Sequence, residues 1–86
     1  MAEFLVELYV SRTDAGAVEL GAARARAAAE ALTREGTPVR YLRSIFVPED
    51  ETCFLYEAGS ADAVREAAGR AGLAFERVAE AIAGSR

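Results

Sequence analysis

The sequence predicts an α+β domain with the element order β-α-β-β-α-β, in which two helices cover one face of a four-stranded antiparallel sheet. The chain has 86 residues, which suits one domain and no more. Segments with strand-like composition alternate with two alanine-rich segments whose apolar residues recur at helical spacing. Glycine and proline separate these segments. With a strand as the last element, the order is that of the ferredoxin-like fold, and we assign residues 1–86 to one such domain.

The first strand is predicted over residues 4–10, because every second position is apolar. These positions are Phe4, Val6, Leu8 and Val10. They are expected to face the helices, so that Glu7 and Tyr9 face away from them. Residues 14–35 follow as a helix with apolar residues at steps of three and four, and Gly36 marks its end.

A β-hairpin is predicted next. Residues 39–47 are rich in β-branched and aromatic types, residues 48–51 (PEDE) form a turn, and residues 52–58 return as the third strand. A four-residue turn pairs Val47 with Thr52 and Arg43 with Tyr56. Opposed residues of a ladder point to the same side of the sheet. The helix-facing side of the hairpin is then expected to hold Leu42, Phe46, Cys53 and Leu55.

The second helix is predicted to begin after Ser60, a favourable N-cap residue, and to end at Gly72. The last segment, residues 75–83, fits both periodicities. Phe75, Val78, Ala79 and Ile82 have helical spacing, whereas Val78, Glu80 and Ile82 alternate as in a strand. The alanines favour a helix by local propensity. The fourth strand of the fold is therefore uncertain from the residues alone.

The sheet face opposite the helices is predicted to carry the functional residues. On the expected register it holds all three tyrosines together with Glu7 and Arg43. There, Glu7 could act as a general base if burial raises its pKa. The tyrosine hydroxyls could orient a carbonyl or a phenol of a ligand, and Arg43 could bind a carboxylate. The candidate catalytic residues are Glu7, Tyr41 and Arg43, and the candidate ligand-binding residues are Tyr9, Phe54 and Tyr56. The same composition also suits a dimer interface, with Glu7 and Arg43 as an ion pair across it.

Composition excludes several classes of function. The net charge is −4, and the ten basic residues are interleaved with acids, so we expect neither nucleic acids nor membranes as partners. The chain has no histidine and one cysteine, Cys53, which excludes an intrachain disulfide and leaves no evident metal site or cofactor. No signal-peptide h-region and no apolar run of membrane-spanning length are apparent, so the expected location is the cytoplasm.

Three stretches carry a resemblance to a known family: FLVELYV with its Glu7, SIFVPEDETCFLYEA, and VREAAGRAGLAFERVAEA. They are similar to a family of small bacterial proteins of unknown function, one member type of which is nickel-binding. The resemblance implies a ferredoxin-like fold and a tendency to dimerise. It also implies that residues 76–82 form the fourth strand, against their local helical spacing.

The chain departs from the family at two places. Many members resemble Trp-x-His-Ser in the second strand, where this chain has Tyr41-Leu42-Arg43-Ser44, so that Arg43 replaces the histidine. A metal role that uses this histidine does not carry over. Many members also have proline after the third strand, where this chain has Gly59.

Three functions remain open from the sequence. The first is a homodimeric domain that binds a small organic ligand or a metal ion on the free face of its sheet. The second is a cofactor-free enzyme, such as a cyclase, an isomerase or an oxygenase-like protein, that acts on an aromatic or polyketide-like substrate in the same cavity. The third is a purely structural dimer. Whether the chain is an enzyme is left undecided.

Overall fold

The structure is a computed structural model that describes residues 1–82 and 84. It has four strands and two helices in the predicted order. Their bounds are β1 (Glu3–Tyr9), α1 (Ala15–Arg34), β2 (Val39–Val47), β3 (Thr52–Gly59), α2 (Ala61–Arg70) and β4 (Phe75–Ala81). The strands form one antiparallel sheet in the order β2-β3-β1-β4. The predicted ferredoxin-like α+β fold is confirmed.

The core lies between the sheet and the two helices. Val6, Leu8 and Val10 of the first strand segment are at most 9% exposed, which confirms the predicted helix-facing side. They pack against alanines of both helices and against Leu32 and Val64. Alanine side chains are small, which allows both helices to pack close to the sheet. No helix within residues 1–82 is both long and apolar enough to span a membrane.

The last segment forms β4, and its helical alternative is wrong over Phe75–Ala81. The segment is a strand because its backbone pairs with β1 in an antiparallel ladder. In this ladder Val78 lies opposite Val6, on the helix-facing side. Val78 then packs against the core. This long-range contact outweighs the weak helical propensity of the alanines. The last residue of the predicted segment, Ala83, lies outside the described residues.

Two side chains, Ser60 and Thr33, make hydrogen bonds at the ends of the helices. Ser60 is the N-cap of α2, as predicted, and its Oγ accepts a hydrogen bond from the Ala63 amide at 3.1 Å. Thr33, near the end of α1, donates from Oγ1 to the Val39 carbonyl at 2.8 Å and accepts from the Val39 amide at 3.2 Å. This pair of hydrogen bonds fixes the C-terminal end of α1 against the first residue of β2.

The hairpin register agrees with the prediction near the turn and departs from it beyond a β-bulge. Val47 pairs with Thr52 and Arg43 pairs with Tyr56, as expected. One position further, however, Tyr41 lies opposite Glu57, and Leu42 is the extra residue between the two pairs. A bulge of this kind shifts the alternation by one residue.

Because of this bulge, the predicted sides of the sheet are wrong for Tyr41 and Leu42. Glu57 follows Cys53 and Leu55 on the helix-facing side of β3, and Tyr41 shares that side because it lies opposite Glu57. Tyr41 accordingly packs against the core cluster. The expectation that all three tyrosines share the free face is wrong for Tyr41. The expected helix-facing position of Leu42 also fails, since Leu42 does not continue the alternation.

Candidate functional site

One face of the sheet is uncovered by either helix, and most of the predicted site residues lie there. We call it the uncovered face. The strand registers assign to it Glu3, Leu5, Glu7 and Tyr9 of β1, Arg43 and Ile45 of β2, Phe54 and Tyr56 of β3, and Arg77, Ala79 and Ala81 of β4. Five of the six candidate residues are among them. Tyr41 is the exception, and it cannot act together with Glu7.

Glu7 forms an ion pair with Arg77 of β4. The Arg77 Nε donates to Glu7 Oε2 at 2.5 Å, with the glutamate side chain 23% exposed and the arginine 63% exposed. Glu7 lies opposite Phe54 on β3 and opposite Arg77 on β4. Within the chain, Arg77 and not Arg43 is thus the ion-pair partner of Glu7. The ion pair between Glu7 and Arg43 across a dimer interface stays a prediction. A general-base role for Glu7 has to compete with this ion pair.

Arg43 stacks on Tyr56 instead. Its guanidinium carbon lies 4.5 Å from the centre of the Tyr56 ring, within the range of a cation–π contact. The two side chains border a pocket of about 350 Å³ on the uncovered face. The pocket is lined by Glu3, Leu5, Arg43, Tyr56, Ala81 and Ile82. It combines one acid, one base, one aromatic ring and three aliphatic side chains.

Tyr9 and Phe54 lie on the same face but away from this pocket. Tyr9 is 60% exposed, and its hydroxyl donates to Glu51 Oε2 at 3.3 Å. The Arg12 amide donates to the same carboxylate oxygen at 3.0 Å. Tyr9 is thus tied to the hairpin turn, and neither it nor Phe54 lines the pocket. Of the predicted ligand-binding residues, only Tyr56 borders it.

Tyr41 belongs to a different environment at the edge of the sheet. The guanidinium carbon of Arg26, on α1, lies 5.0 Å from the centre of the Tyr41 ring. Tyr41 also lines a groove between α1 and β2. The bulge at Leu42 therefore separates two neighbouring residues, with Arg43 on the uncovered face and Tyr41 on the helix side.

Glu57 is a buried carboxyl that the sequence analysis did not single out. It is 0% exposed, and neither carboxyl oxygen has a hydrogen-bond partner within the described part of the chain. Loss of hydration disfavours the charged form and raises the pKa of Glu57 from 4.5 to about 7. A signal was available, because the alternation of Cys53 and Leu55 continues to Glu57. The side chain holds a proton close to neutral pH.

The described residues do not fit a nickel site. Nickel is held in proteins by imidazole, thiolate or clustered carboxylate ligands. The chain has no histidine, and Cys53 is buried, which raises the pKa of its thiol. Within residues 1–82 and 84, no group of three or more Cys, Asp or Glu side chains is placed to hold a metal ion. On the uncovered face Glu3 and Glu7 lie about 13 Å apart along one strand, too far for one ion.

Comparison with known proteins gives the family. A family model described as nickel responsive protein, SCO4226-like, matches residues 8–81. No curated protein is significantly similar in sequence to the chain. The chain is similar in structure to SCO4226 from Streptomyces coelicolor A3(2), with 20% identity, coverage of 98% of this chain and 100% of that one, and a TM-score of 0.70. At this identity the structural likeness supports the fold alone, whereas the family model spans most of the sequence. The chain belongs to the SCO4226-like family of nickel responsive proteins.

Proposed function

We propose that the protein is a homodimeric binding module that holds a small organic molecule on the uncovered face of its sheet. The observation that carries this proposal is the Arg43–Tyr56 stack beside the pocket of about 350 Å³. The Arg43 guanidinium lies over the Tyr56 ring, and the Glu3 carboxyl lines the same pocket. The other lining side chains are apolar. Binding pockets for small molecules commonly combine these features.

The lining indicates the chemistry of the ligand. Arg43 offers a planar donor pair to a carboxylate, and Glu3 offers an acceptor to an ammonium or an amide. The Tyr56 ring and Leu5 provide a flat apolar surface between them. The volume lies at the lower end of the range for ligand pockets. We therefore propose a ligand with a flat apolar body and polar groups of opposite charge.

Dimerisation is the second part of the proposal. Neither helix covers this face, and large apolar side chains on it or at its border are exposed: Ile45 is 44% exposed and Ile82 is 85% exposed. Tyrosine and arginine are enriched at the centres of protein interfaces. Two such faces brought together by a two-fold axis bury this surface and close the pocket from solvent. The resemblance to a family with a tendency to dimerise agrees with this arrangement.

The nickel response in the family's name does not change the proposed ligand. The side chains of residues 1–82 and 84 do not fit a nickel site, so the proposal takes the organic ligand and not the metal ion. The cofactor-free enzyme stays an alternative in the same pocket, without the predicted Tyr41 and with Glu7 held by Arg77. The structural dimer is the remaining alternative, and it predicts no ligand.

Titration of the isotopically labelled full chain with phenylalanine tests the proposal. Phenylalanine carries the aromatic ring and both charges, and benzoate and phenethylamine carry one charge each. We expect saturable amide shifts near Leu5 and Tyr56, with weaker binding of both comparators. Arg43→Gln should weaken binding about tenfold or more, the scale of a charge-assisted hydrogen bond, while Arg65→Gln on α2 should leave it unchanged. Shifts that do not saturate, or equal effects of the two variants, would refute the proposal.

A further inference from the structure

A groove at the edge of the sheet, on the helix side, has no part in the proposed function. It lies between the C-terminal half of α1 and the start of β2, the edge strand next to β3. Its volume is about 670 Å³, well inside the range of small-molecule sites and larger than the pocket on the uncovered face. Ala29, Pro38 and the Tyr41 ring give it apolar walls.

The groove is positively charged within an acidic protein. Three arginines border it, Arg26 and Arg34 from α1 and Arg40 from β2, against one carboxylate, Glu30. Of these, Arg40 lies opposite Ala58, which the register places on the side of the uncovered face, so the groove charges are those of Arg26 and Arg34. The whole chain carries a net charge of −4. Over residues 1–82 and 84, none of the three arginines forms an ion pair within 4 Å. The charges of Arg26 and Arg34 are thus available to a ligand, and with Glu30 they leave a local excess of one positive charge, opposite in sign to the net charge of the chain.

The walls of the groove are held in place by contacts already described. The Thr33–Val39 hydrogen bonds tie the end of α1 to the start of β2. The bulge at Leu42 turns Tyr41 to this side, and Arg26 lies over its ring at 5.0 Å. A guanidinium that is already positioned over an aromatic ring loses less freedom when it binds an anion. The groove therefore combines a fixed apolar wall with a positioned cation.

We propose that this groove is a binding site for an organic anion with an aromatic or aliphatic body. The apolar body lies against Tyr41 and Ala29, and the anionic group is bound by the arginines at the rim. Arginine suits this role because its planar donors match a carboxylate, a sulfonate or a phosphate. The site is separate from the pocket on the uncovered face, and it depends neither on dimerisation nor on Arg43.

The test is a titration of the labelled full chain with 2-naphthoate and with 2-naphthalenemethanol, its uncharged counterpart. The proposal predicts saturable shifts of amides around Arg26, Arg34 and Tyr41. Binding of the alcohol should be at least about fivefold weaker, because it lacks the charge-assisted hydrogen bonds that a carboxylate makes with arginine. Shifts confined to Leu5 and Tyr56 on the uncovered face, or equal binding of the alcohol, would overturn it.

Matched double variants separate the rim charges from the charge of the whole protein. Arg26→Gln with Arg34→Gln removes two groove arginines, and Arg24→Gln with Arg65→Gln removes two exposed arginines elsewhere. All four positions are exposed, so both proteins should keep the amide dispersion of the native fold. The first variant should lose about tenfold or more in 2-naphthoate affinity, and the second should lose less than twofold. Equal losses would mean general electrostatic attraction and would refute the site.

Discussion

Replacing the buried Glu57 by glutamine should change how the stability of the protein depends on pH. In the unfolded chain this carboxyl releases its proton near pH 4.5, whereas in the folded protein the buried side chain keeps it until about pH 7. Between these values the folded state binds more protons than the unfolded state. The free energy of unfolding must therefore fall as pH rises through this window, and it levels off above pH 7.

The size of the effect follows from the two pKa values. They differ by roughly two and a half pH units, and each unit corresponds to about 1.4 kcal/mol, so ionisation of Glu57 costs the native protein about 3 kcal/mol at pH 8. For a domain of this size, that is a melting temperature lower by roughly 12 to 24 °C. Glutamine has no charge to bury, and its unpartnered amide costs the same at every pH.

Urea unfolding between pH 4.5 and 8, at one fixed protein concentration, measures this slope. The wild type should lose about 3 kcal/mol across the range relative to Glu57→Gln. Glu19→Gln, on the exposed side of α1, is the matched control and should keep the wild-type slope. Parallel pH profiles for the wild type and Glu57→Gln would show that Glu57 is solvated or partnered in solution, and that the argument from its burial is wrong.

Four further predictions concern single features of the structure. Arg77→Gln removes the partner of Glu7, but this arginine is mostly exposed, so urea unfolding should show a loss below about 1 kcal/mol; a loss twice as large would mean that the ion pair is buried in an interface. Ser60→Ala removes the N-cap of α2 and should cost about 1 kcal/mol in the same assay, and no loss would contradict the observed cap. Cys53 is buried with a raised pKa, so iodoacetamide should modify the native protein far more slowly than the urea-unfolded protein, and equal rates would contradict its burial. Calorimetry with nickel chloride should detect no sub-micromolar binding, because the part of the chain that the structure describes holds no set of nickel ligands; tight binding at a defined stoichiometry would overturn this prediction.

The fold was predictable from the sequence because its main signals are local. The alternation in β1, the helical spacing in α1 and the Ser60 cap each depend on neighbouring residues only. The segment of β4 was ambiguous because its alanines favour a helix, and only pairing with β1 makes it a strand. The resemblance to the family supplied this long-range information, and the structure confirms it.

The candidate site was predicted less well, for two physical reasons. Arg77 lies on β4, so it could be matched with Glu7 only once that segment was known to be a strand. The bulge at Leu42 leaves no clear sequence signal, since it contains neither glycine nor proline, and it moved Tyr41 to the other side of the sheet. By contrast, the burial of Glu57 could have been predicted, because the alternation that correctly places Cys53 and Leu55 on the helix-facing side also places Glu57 there.

The mass of the protein in solution tests most directly whether the uncovered face joins two copies. Leu5 lies at the middle of that face, between Tyr56 and Ala79, whereas Leu20 is an exposed leucine on α1. Sedimentation equilibrium at tens of micromolar should give about 18 kDa, twice the 9.1 kDa of one chain, for the wild type and for Leu20→Arg. Leu5→Arg should sediment as a folded species of 9.1 kDa. A wild-type mass of one chain, or a Leu5→Arg variant that remains dimeric, would contradict the proposed interface.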